Sequence, residues 1–482
     1  MPVTCRRTGP VVALCLLLGS FLVSSTAAQP LGDRINELLR HRQVERAFWG
    51  VCVYDLERDS VLFSRNARRL FLPASNQKLL TTTAALDLLG GTYRYETTLA
   101  FRGTTRDSVL RGDLILRGSG APTFGSTAIR GDNDPLRDWA QRLARMGVRR
   151  VEGRLIGDDE AFSDRLYPDG WNVRYLTRQK GKQIGISSGG LSYRDNRVSV
   201  KIRATRPGRP PRVRFTPAGT VDLENQATTS ERWRGSTLRI TRTFSTNKIV
   251  LRGSVARSYE GIRNVPVSNP TTFTLHAFRQ YLRDAGIETA LELAEVDSLA
   301  GRSESGRPLF VELSPPLSEI VQITNKRSNN FYAEQVFRTY GWGGTIEGGA
   351  KRTKTFLQRA GINPENLSVS DGSGLSRKDL VTPRAMMKLL VHMDEHPARE
   401  VFLSSLPRGG ERNTTLDSRL AGISVRAKTG SLASVRALSG YVERPDGTRV
   451  AFAMFANNYP GPSYQITQTM DEVVRLLASP PS

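Results

Sequence analysis

Between Leu72 and Gly91 a proline, a serine and a lysine open a run apolar enough to be buried. The segment reads Leu72-Pro73-Ala74-Ser75-Asn76-Gln77-Lys78. It continues through Leu79, Leu80, Ala84, Ala85, Leu86, Leu88 and Leu89 to Gly90-Gly91. This spacing predicts a helix with a buried stripe, stopped by glycine. Residues three apart share a helix face, so Ser75 and Lys78 can meet. Burial disfavours the charged form of a lysine, and a neutral amine beside a hydroxyl can take its proton. Ser75 is therefore a candidate nucleophile that needs no histidine.

Other stretches compete for chemistry and carry less. Ser245-Thr246-Asn247-Lys248 repeats the Ser-x-x-Lys spacing. It lies between alternating runs at 237–244 and 249–255 and reads as a hairpin turn. Gly185-Ile186-Ser187-Ser188-Gly189 matches a hydrolase elbow, but Gly189-Gly190 argue against the helix that must follow it. His392 and His396 share a helix face as a possible metal pair. The next residue after His392 is Met393 rather than Glu, Pro397 follows, and the chain has four histidines in all. No metal or cofactor is expected.

The 482 residues are enough for a sizeable core and roughly two to four domains. Arg6-Arg7, an apolar run from Val11 to Val23 and Ser24-Ser25-Thr26-Ala27-Ala28 read as an export signal over 1–28. The run is short for a membrane span. Anchoring by a lipid on Cys15 is disfavoured by the apolar residues that follow it. Cleavage leaves Cys52 as the one cysteine, which excludes an internal disulfide. The net charge of +23 comes from dispersed arginines. A solvated basic surface explains it most simply; attraction to an anionic envelope polymer is the functional reading. An exported chain without a recognisable binding motif is not expected to bind nucleic acid. The last predicted helix, Tyr464–Leu477, lacks a basic polar face, so no stable membrane anchor is expected. The oligomeric state is left open.

The periodicity predicts a helix from Gly32 to Arg42 and a hairpin from Trp49–Asp55 and Val61–Arg65. Strands follow at Thr97–Phe101 and Val109–Leu116, with a helix at Asp134–Met146. Residues 198–255 show an all-β pattern. Helices are expected at Thr271–Ala285, Ser318–Tyr340, Gly348–Ala360 and Thr382–His396. Strands at Val425–Thr429, Ser439–Glu443 and Arg449–Asn457 precede the last helix. The simplest architecture pairs the first hairpin with the last three strands. That gives an α+β fold, with an antiparallel five-stranded sheet covered by terminal helices on one face and central helices on the other. The expected catalytic body is 29–96 with 269–482. A large, mostly β insertion occupies 97–268, with a nested β unit at about 197–256.

Two further stretches complete a pattern. Ser328-Asn329-Asn330 stands at a predicted helix start, where Ser328 could simply cap the helix. Lys428-Thr429-Gly430-Ser431 stands on a predicted strand, where its plain reading is an edge strand ending at glycine. Ser-x-x-Lys, Ser-x-Asn and Lys-Thr-Gly in this order resemble the signature of penicillin-binding proteins and serine β-lactamases. The chain is similar to the low-molecular-mass class C penicillin-binding proteins of the penicillin-binding protein 4 type, peptidase family S13. Asp371-Gly372-Ser373-Gly374-Leu375-Ser376-Arg377, Ser405-Leu406-Pro407 and the wide gap from Ser75 to Ser328 carry the same likeness. Asn329 stands where that family often has Asp.

The resemblance implies a serine-type D-Ala-D-Ala carboxypeptidase and endopeptidase acting on peptidoglycan peptides, with β-lactams as covalent inhibitors. Ser75 would be the nucleophile, Lys78 the base, Ser328 the proton relay and Asn330 the holder of Lys78 and substrate. Lys428 would supply positive charge. Thr429, Gly430 and Ser431 would bind substrate, with the Ser75 and Ser431 amides as oxyanion hole. Arg377 would grip the carboxylate of a diaminopimelate side chain. Asp158 would take its amine, and Phe162 would form an apolar wall. The plain alternative pairs Arg377 with Asp371 or Asp379. A serine β-lactamase and a non-catalytic envelope-binding scaffold remain as rival functions.

Overall fold

The computed structural model describes residues 29–131, 133–172, 175–176, 186–296 and 306–480, together with Met1. The export segment expected over 1–28 otherwise lies outside them. The first hairpin, Phe48–Asp55 and Ser60–Arg65, joins the last three strands, Val425–Leu432, Val435–Glu443 and Arg449–Asn457. Together they form one five-stranded sheet. Every pairing in it is antiparallel. Alternation along the strand Phe48–Asp55 sends Val51 and Val53 to one face and Cys52 to the other. The helices Leu31–Arg40 and Ser463–Ala478 cover the first face, through Ile35, Leu39, Ile466, Met470 and Val473. Phe71, Met386 and Leu390 pack on the second. The α+β architecture expected from the sequence is the one observed. Among the described residues no helix is long and apolar enough to cross a membrane.

The insertion holds a second five-stranded sheet that the periodicity did not reveal. Its order is Glu288–Glu295, Arg150–Asp158, Val109–Gly118, Glu96–Arg106, Arg307–Leu313. Arg150–Asp158 pairs in parallel with both neighbours, which brings strands far apart in sequence together. Two members lie beyond residue 268, so sheet pairing of the insertion passes the boundary expected there. Two three-stranded sheets complete it, one from 222–229, 248–255 and 239–242, the other from 260–266, 197–203 and 212–216. Ser245 sits in the turn before Lys248–Val255 at φ 58°, and Lys248 pairs with Glu224.

One expected helix is two. The run read as Ser318–Tyr340 divides into Leu317–Lys326 and Asn330–Thr339. Ser328 adopts φ 54°, which a helix cannot continue through. Asn329, not Ser328, is the cap: its side chain accepts from the Tyr332 amide. This frees the Ser328 side chain from capping.

Insertion and body are joined through a buried guanidinium. Arg338, on the helix Asn330–Thr339, is fully buried. It donates to the carbonyls of Gly344 (2.9 Å), Arg165 (3.0 Å), Ser188 (3.1 Å) and Ser163 (2.5 Å). Its plane lies 4.5 Å from the Phe162 ring centroid. Burial lowers its pKa to about 10, so it stays charged at neutral pH. A lysine has neither the fork nor the number of donors to satisfy these carbonyls. Arg338→Lys should lower unfolding stability by on the order of 3 kcal/mol, because buried acceptors are left unpaired. Denaturant unfolding checks this; an unchanged midpoint would mean the bonds are replaceable.

Candidate active site

Ser75 lies in a single 3₁₀ turn, Ala74–Asn76, that leads into the helix Gln77–Leu89. Ala74 is held at φ 47°, an uncommon conformation for a residue with a Cβ. The turn is gripped from both sides. Asn76 Nδ2 donates to the Lys428 carbonyl at 3.0 Å. Gln77 Nε2 donates to the Asp371 carbonyl at 3.2 Å. Gly374, at φ 80°, lies so close that a Cβ there would stand 1.8 Å from the Ala74 oxygen. A glycine is required at this position by space as well as by conformation.

Lys78 is completely buried one turn beyond Ser75. Its Nζ lies 3.1 Å from Ser75 Oγ, 2.7 Å from Asn330 Oδ1 and 2.6 Å from the Ser373 carbonyl oxygen. Two of these neighbours only accept. A neutral amine has two N–H groups and one lone pair. With both N–H groups on Asn330 and Ser373, the lone pair faces the Ser75 hydroxyl. Burial lowers the Lys78 pKa to about 8, opposed by the negative charge of Asp371, Glu334 and Asp379.

Lys428 is buried across the site. Its Nζ donates to Ser328 Oγ and to the Thr429 carbonyl, both at 2.9 Å. Burial, then the nearby Lys78 cation, pushes its pKa well below the usual lysine range. The repulsion is mutual, so each amine disfavours charge on the other.

Ser75, Ser328, Asn330, Thr429, Gly430 and Ser431 line one cleft of about 960 Å³ with Leu375 and Asn413–Thr415. Arg197, Arg327, Arg419 and Arg436 also reach it. Arg377 stands just outside this lining and is exposed. Its guanidinium donates to the Ala433 carbonyl at 2.9 Å rather than to Asp371 or Asp379. It therefore spans from the Ser-Gly-Leu-Ser turn to the bend after Ser431.

Asp158 and Phe162 are not brought to the cleft. Asp158 is buried at the end of the strand Arg150–Asp158, where its carboxylate accepts from Arg117 Nε at 2.5 Å. It borders a separate hollow with Glu96 and Glu160. A paired, buried carboxylate has no free face for a substrate amine. Phe162 is buried against Gly120 and under Arg338, so it packs the insertion instead of walling the site.

Several residues of the site escaped the sequence reading. Asp371 accepts from the amides of Ser373 (3.0 Å), Gly374 (2.5 Å) and Ser376 (2.7 Å) and from Trp171 Nε1 (2.7 Å). These bonds shape the turn whose Ser373 carbonyl meets Lys78. Glu334 is fully buried and accepts from the Gly372 amide at 3.2 Å. Burial, then Asp371, raises its pKa to about 8. Its signal was available: Glu334 follows Asn330 by four residues and so shares its helix face. Trp171 gave no local signal, because it reaches Asp371 from a distant loop.

The competing motifs find structural places. Ser187 donates to the Val267 carbonyl at 3.1 Å, and Ser188 accepts from Arg338. No α-helix follows Gly190; a single 3₁₀ turn, Arg194–Asn196, leads instead into the strand Arg197–Arg203. Gly185 lies outside the described residues. The His392 and His396 rings stand 5.4 Å apart. Among the described residues no group of three or more His, Cys, Asp or Glu side chains is placed to hold a metal ion.

The family model of the D-Ala-D-Ala carboxypeptidase 3 (S13) family matches residues 31–479. A D-alanyl-D-alanine carboxypeptidase of Actinomadura sp. is 31% identical, over 95% of this chain and 88% of that protein. The D-alanyl-D-alanine carboxypeptidase DacB of Haemophilus influenzae is 26% identical, over 92% of each. The crystal structure of penicillin binding protein 4 from H. influenzae superposes with a TM-score of 0.79 at 23% identity, covering 92% of this chain and 99% of that one. That protein has also been solved in complex with a β-lactam. The match runs through both halves of the body and the insertion between them, and the protein belongs to the D-Ala-D-Ala carboxypeptidase 3 (S13) family.

Proposed function

We propose that this enzyme is an exported serine-type carboxypeptidase and endopeptidase that cleaves D-Ala-D-Ala ends and cross-links of peptidoglycan peptides through an acyl-enzyme on Ser75. The observation that carries the reading is the buried Lys78 amine, aimed at Ser75 Oγ by two acceptors. Ser75 Oγ attacks the carbonyl carbon of the penultimate D-Ala, and its proton passes to Lys78. Negative charge gathers on the former carbonyl oxygen, where the Ser75 and Ser431 amides are suited to receive it. Collapse breaks the C–N bond. The departing amine takes, through Ser328, the proton that Lys78 received, which returns Lys78 to its neutral form; Ser328 also accepts from Lys428. Water then hydrolyses the ester, giving the trimmed peptide carboxylate and free Ser75. Lys428, Thr429 and Gly430 are suited to the substrate's terminal carboxylate, and Asn330 to its amide. A β-lactam enters the same sequence at the acylation step, and slow hydrolysis of its ester distinguishes this enzyme from a β-lactamase.

Penicillin should add one adduct mass to the purified protein, on Ser75. Intact-mass measurement on Ser75→Ala should show none; an adduct there would overturn the assignment of the nucleophile.

Lys78 must be neutral to act as base. Its pKa lies near 8, so the active form grows as pH rises through that value. The acylation rate should climb with pH up to about 8 and level off above it. Lys78→Ala should lower it by roughly 100- to 10,000-fold. A flat pH profile in stopped-flow acylation, or a loss below about tenfold in the variant, would assign the proton to another group.

Arg377 reaches the rim of the cleft with a guanidinium able to grip a carboxylate through two bonds. We assign it to the diaminopimelate carboxylate of the peptide. Arg377→Lys should reduce turnover of diaminopimelate peptides far more than penicillin acylation. Equal loss with both would make Arg377 a support of the general site.

A further inference from the structure

The arginines are dispersed along the sequence, but the excess of positive over negative charge is uneven. Residues 197–266 hold 15 lysines and arginines against four acids, within a chain whose net charge is +23. The three-stranded sheet of 260–266, 197–203 and 212–216 gathers part of that excess on one face. Its register sets Lys201 directly opposite Arg214 and Arg203 directly opposite Arg212. On the other side Lys201 faces Ile262 and Arg203 faces Glu260. Directly paired residues project to the same side of a sheet. Val198, Val200 and Ile202, which alternate with them, are buried. The four cations therefore stand on the solvent face, and all are exposed.

Like charges directly opposed destabilise a sheet. Glu260 is the carboxylate on this face; it lies 2.8 Å from Lys201 and 3.9 Å from Arg203. Among the described residues no carboxylate pairs with Arg212 or Arg214. The loop between the two strands adds Arg206 and Arg209, both exposed. Folding alone gives no reason for two opposed like-charge pairs. An anionic partner does.

We infer that this face docks the peptidoglycan polymer itself, through the carboxylates its peptides carry at intervals. The choice of polymer rests on the proposed function; the anionic chemistry does not. Ile262 is the exposed large apolar residue on the face, too little to anchor it in a bilayer. Phe215, the one aromatic of these strands, packs against the core, so nothing is presented for stacking bases. Neighbouring cations lie about 5 Å apart across strands and about 7 Å along them. A polymer with many carboxylates engages several at once and keeps the enzyme near further peptides.

The test uses the mature protein with Lys201→Gln, Arg203→Gln, Arg212→Gln and Arg214→Gln combined. Binding is measured by cosedimentation in a Ser75→Ala background, so that no cleavage competes. The probe is purified peptidoglycan stripped of phosphate polymers; unstripped sacculi and anionic phospholipid vesicles are the other arms. The parent should bind stripped peptidoglycan in a salt-sensitive way, and the quadruple variant should bind it at least about tenfold more weakly. With Ser75 intact, the variant's penicillin acylation should match the parent. Its thermal midpoint should be unchanged or higher, since opposed like charges have been removed. Equal binding by both proteins, retention only on vesicles or only on unstripped sacculi, or a lowered midpoint would each overturn the inference. Failure of the parent to be acylated would instead count against the proposed function and leave the binding comparison intact.

Discussion

Burying the amine of Lys78 is the constraint from which the rest of the site follows. A lysine with no exposed surface must give its N–H groups to acceptors or lose its charge, and here both happen in part. Its acceptors come from two distant segments, the Asn330 side chain and the Ser373 carbonyl. Each needs its own support. Asn330 is presented by the break between Leu317–Lys326 and Asn330–Thr339. Ser373 is presented by a turn wound around the Asp371 carboxylate. Glu334 and Asp379 stand nearby, and burial pushes both toward the neutral form. Asp371 is the acid with the most donors, three amides and Trp171 Nε1. This arrangement limits the negative charge that would otherwise keep Lys78 protonated.

The second lysine gives the cleft its division of labour. Lys428 sits on an edge strand of the main sheet, and its carbonyl is held by Asn76, next to Ser75. Its amine reaches Ser328 on the opposite wall. Both lysines thus lean on serine hydroxyls; in the proposed mechanism one is deprotonated and the other passes a proton on. Their mutual repulsion, with both side chains buried, favours the neutral amine that the proposed chemistry needs. The insertion takes part through rigidity. Arg338 ties three of its carbonyls, those of Ser163, Arg165 and Ser188, to the helix that begins at Asn330. A change in the insertion can therefore reach the catalytic wall without touching substrate.

Much of the body was legible because its signals are local. The strand Arg449–Asn457 was read to the residue, and the terminal helices to within a few. The Ser75 and Lys78 contact follows from three-residue spacing on a helix. The break at Ser328 was half legible: Ser328-Asn329-Asn330 was read as a helix start, yet the apolar period continues across it and Ser318–Tyr340 was also read as one helix. The sheet of the insertion was missed for a related reason. Its strand Arg150–Asp158 pairs in parallel with partners before and well after it, and such pairing leaves no turn signal. Asp158 and Phe162 were drawn to the cleft by likeness of sequence, whereas Arg117 and Arg338 hold them elsewhere.

The sequence by itself determined the Ser75 turn, the three motifs, the α+β class and the grouping of the main strands into one antiparallel sheet. Those rest on periodicity, on turn chemistry and on residue types at short spacing. Only the tertiary structure decided which acceptors meet Lys78, that Glu334 and Asp371 belong to the site, and that Asp158 does not. It also decided that opposed cations share one sheet face. These depend on contacts between residues up to several hundred positions apart, such as Gln77 with Asp371. Their energies come from burial and from pairing in a closed space, and no local pattern of residues encodes either one.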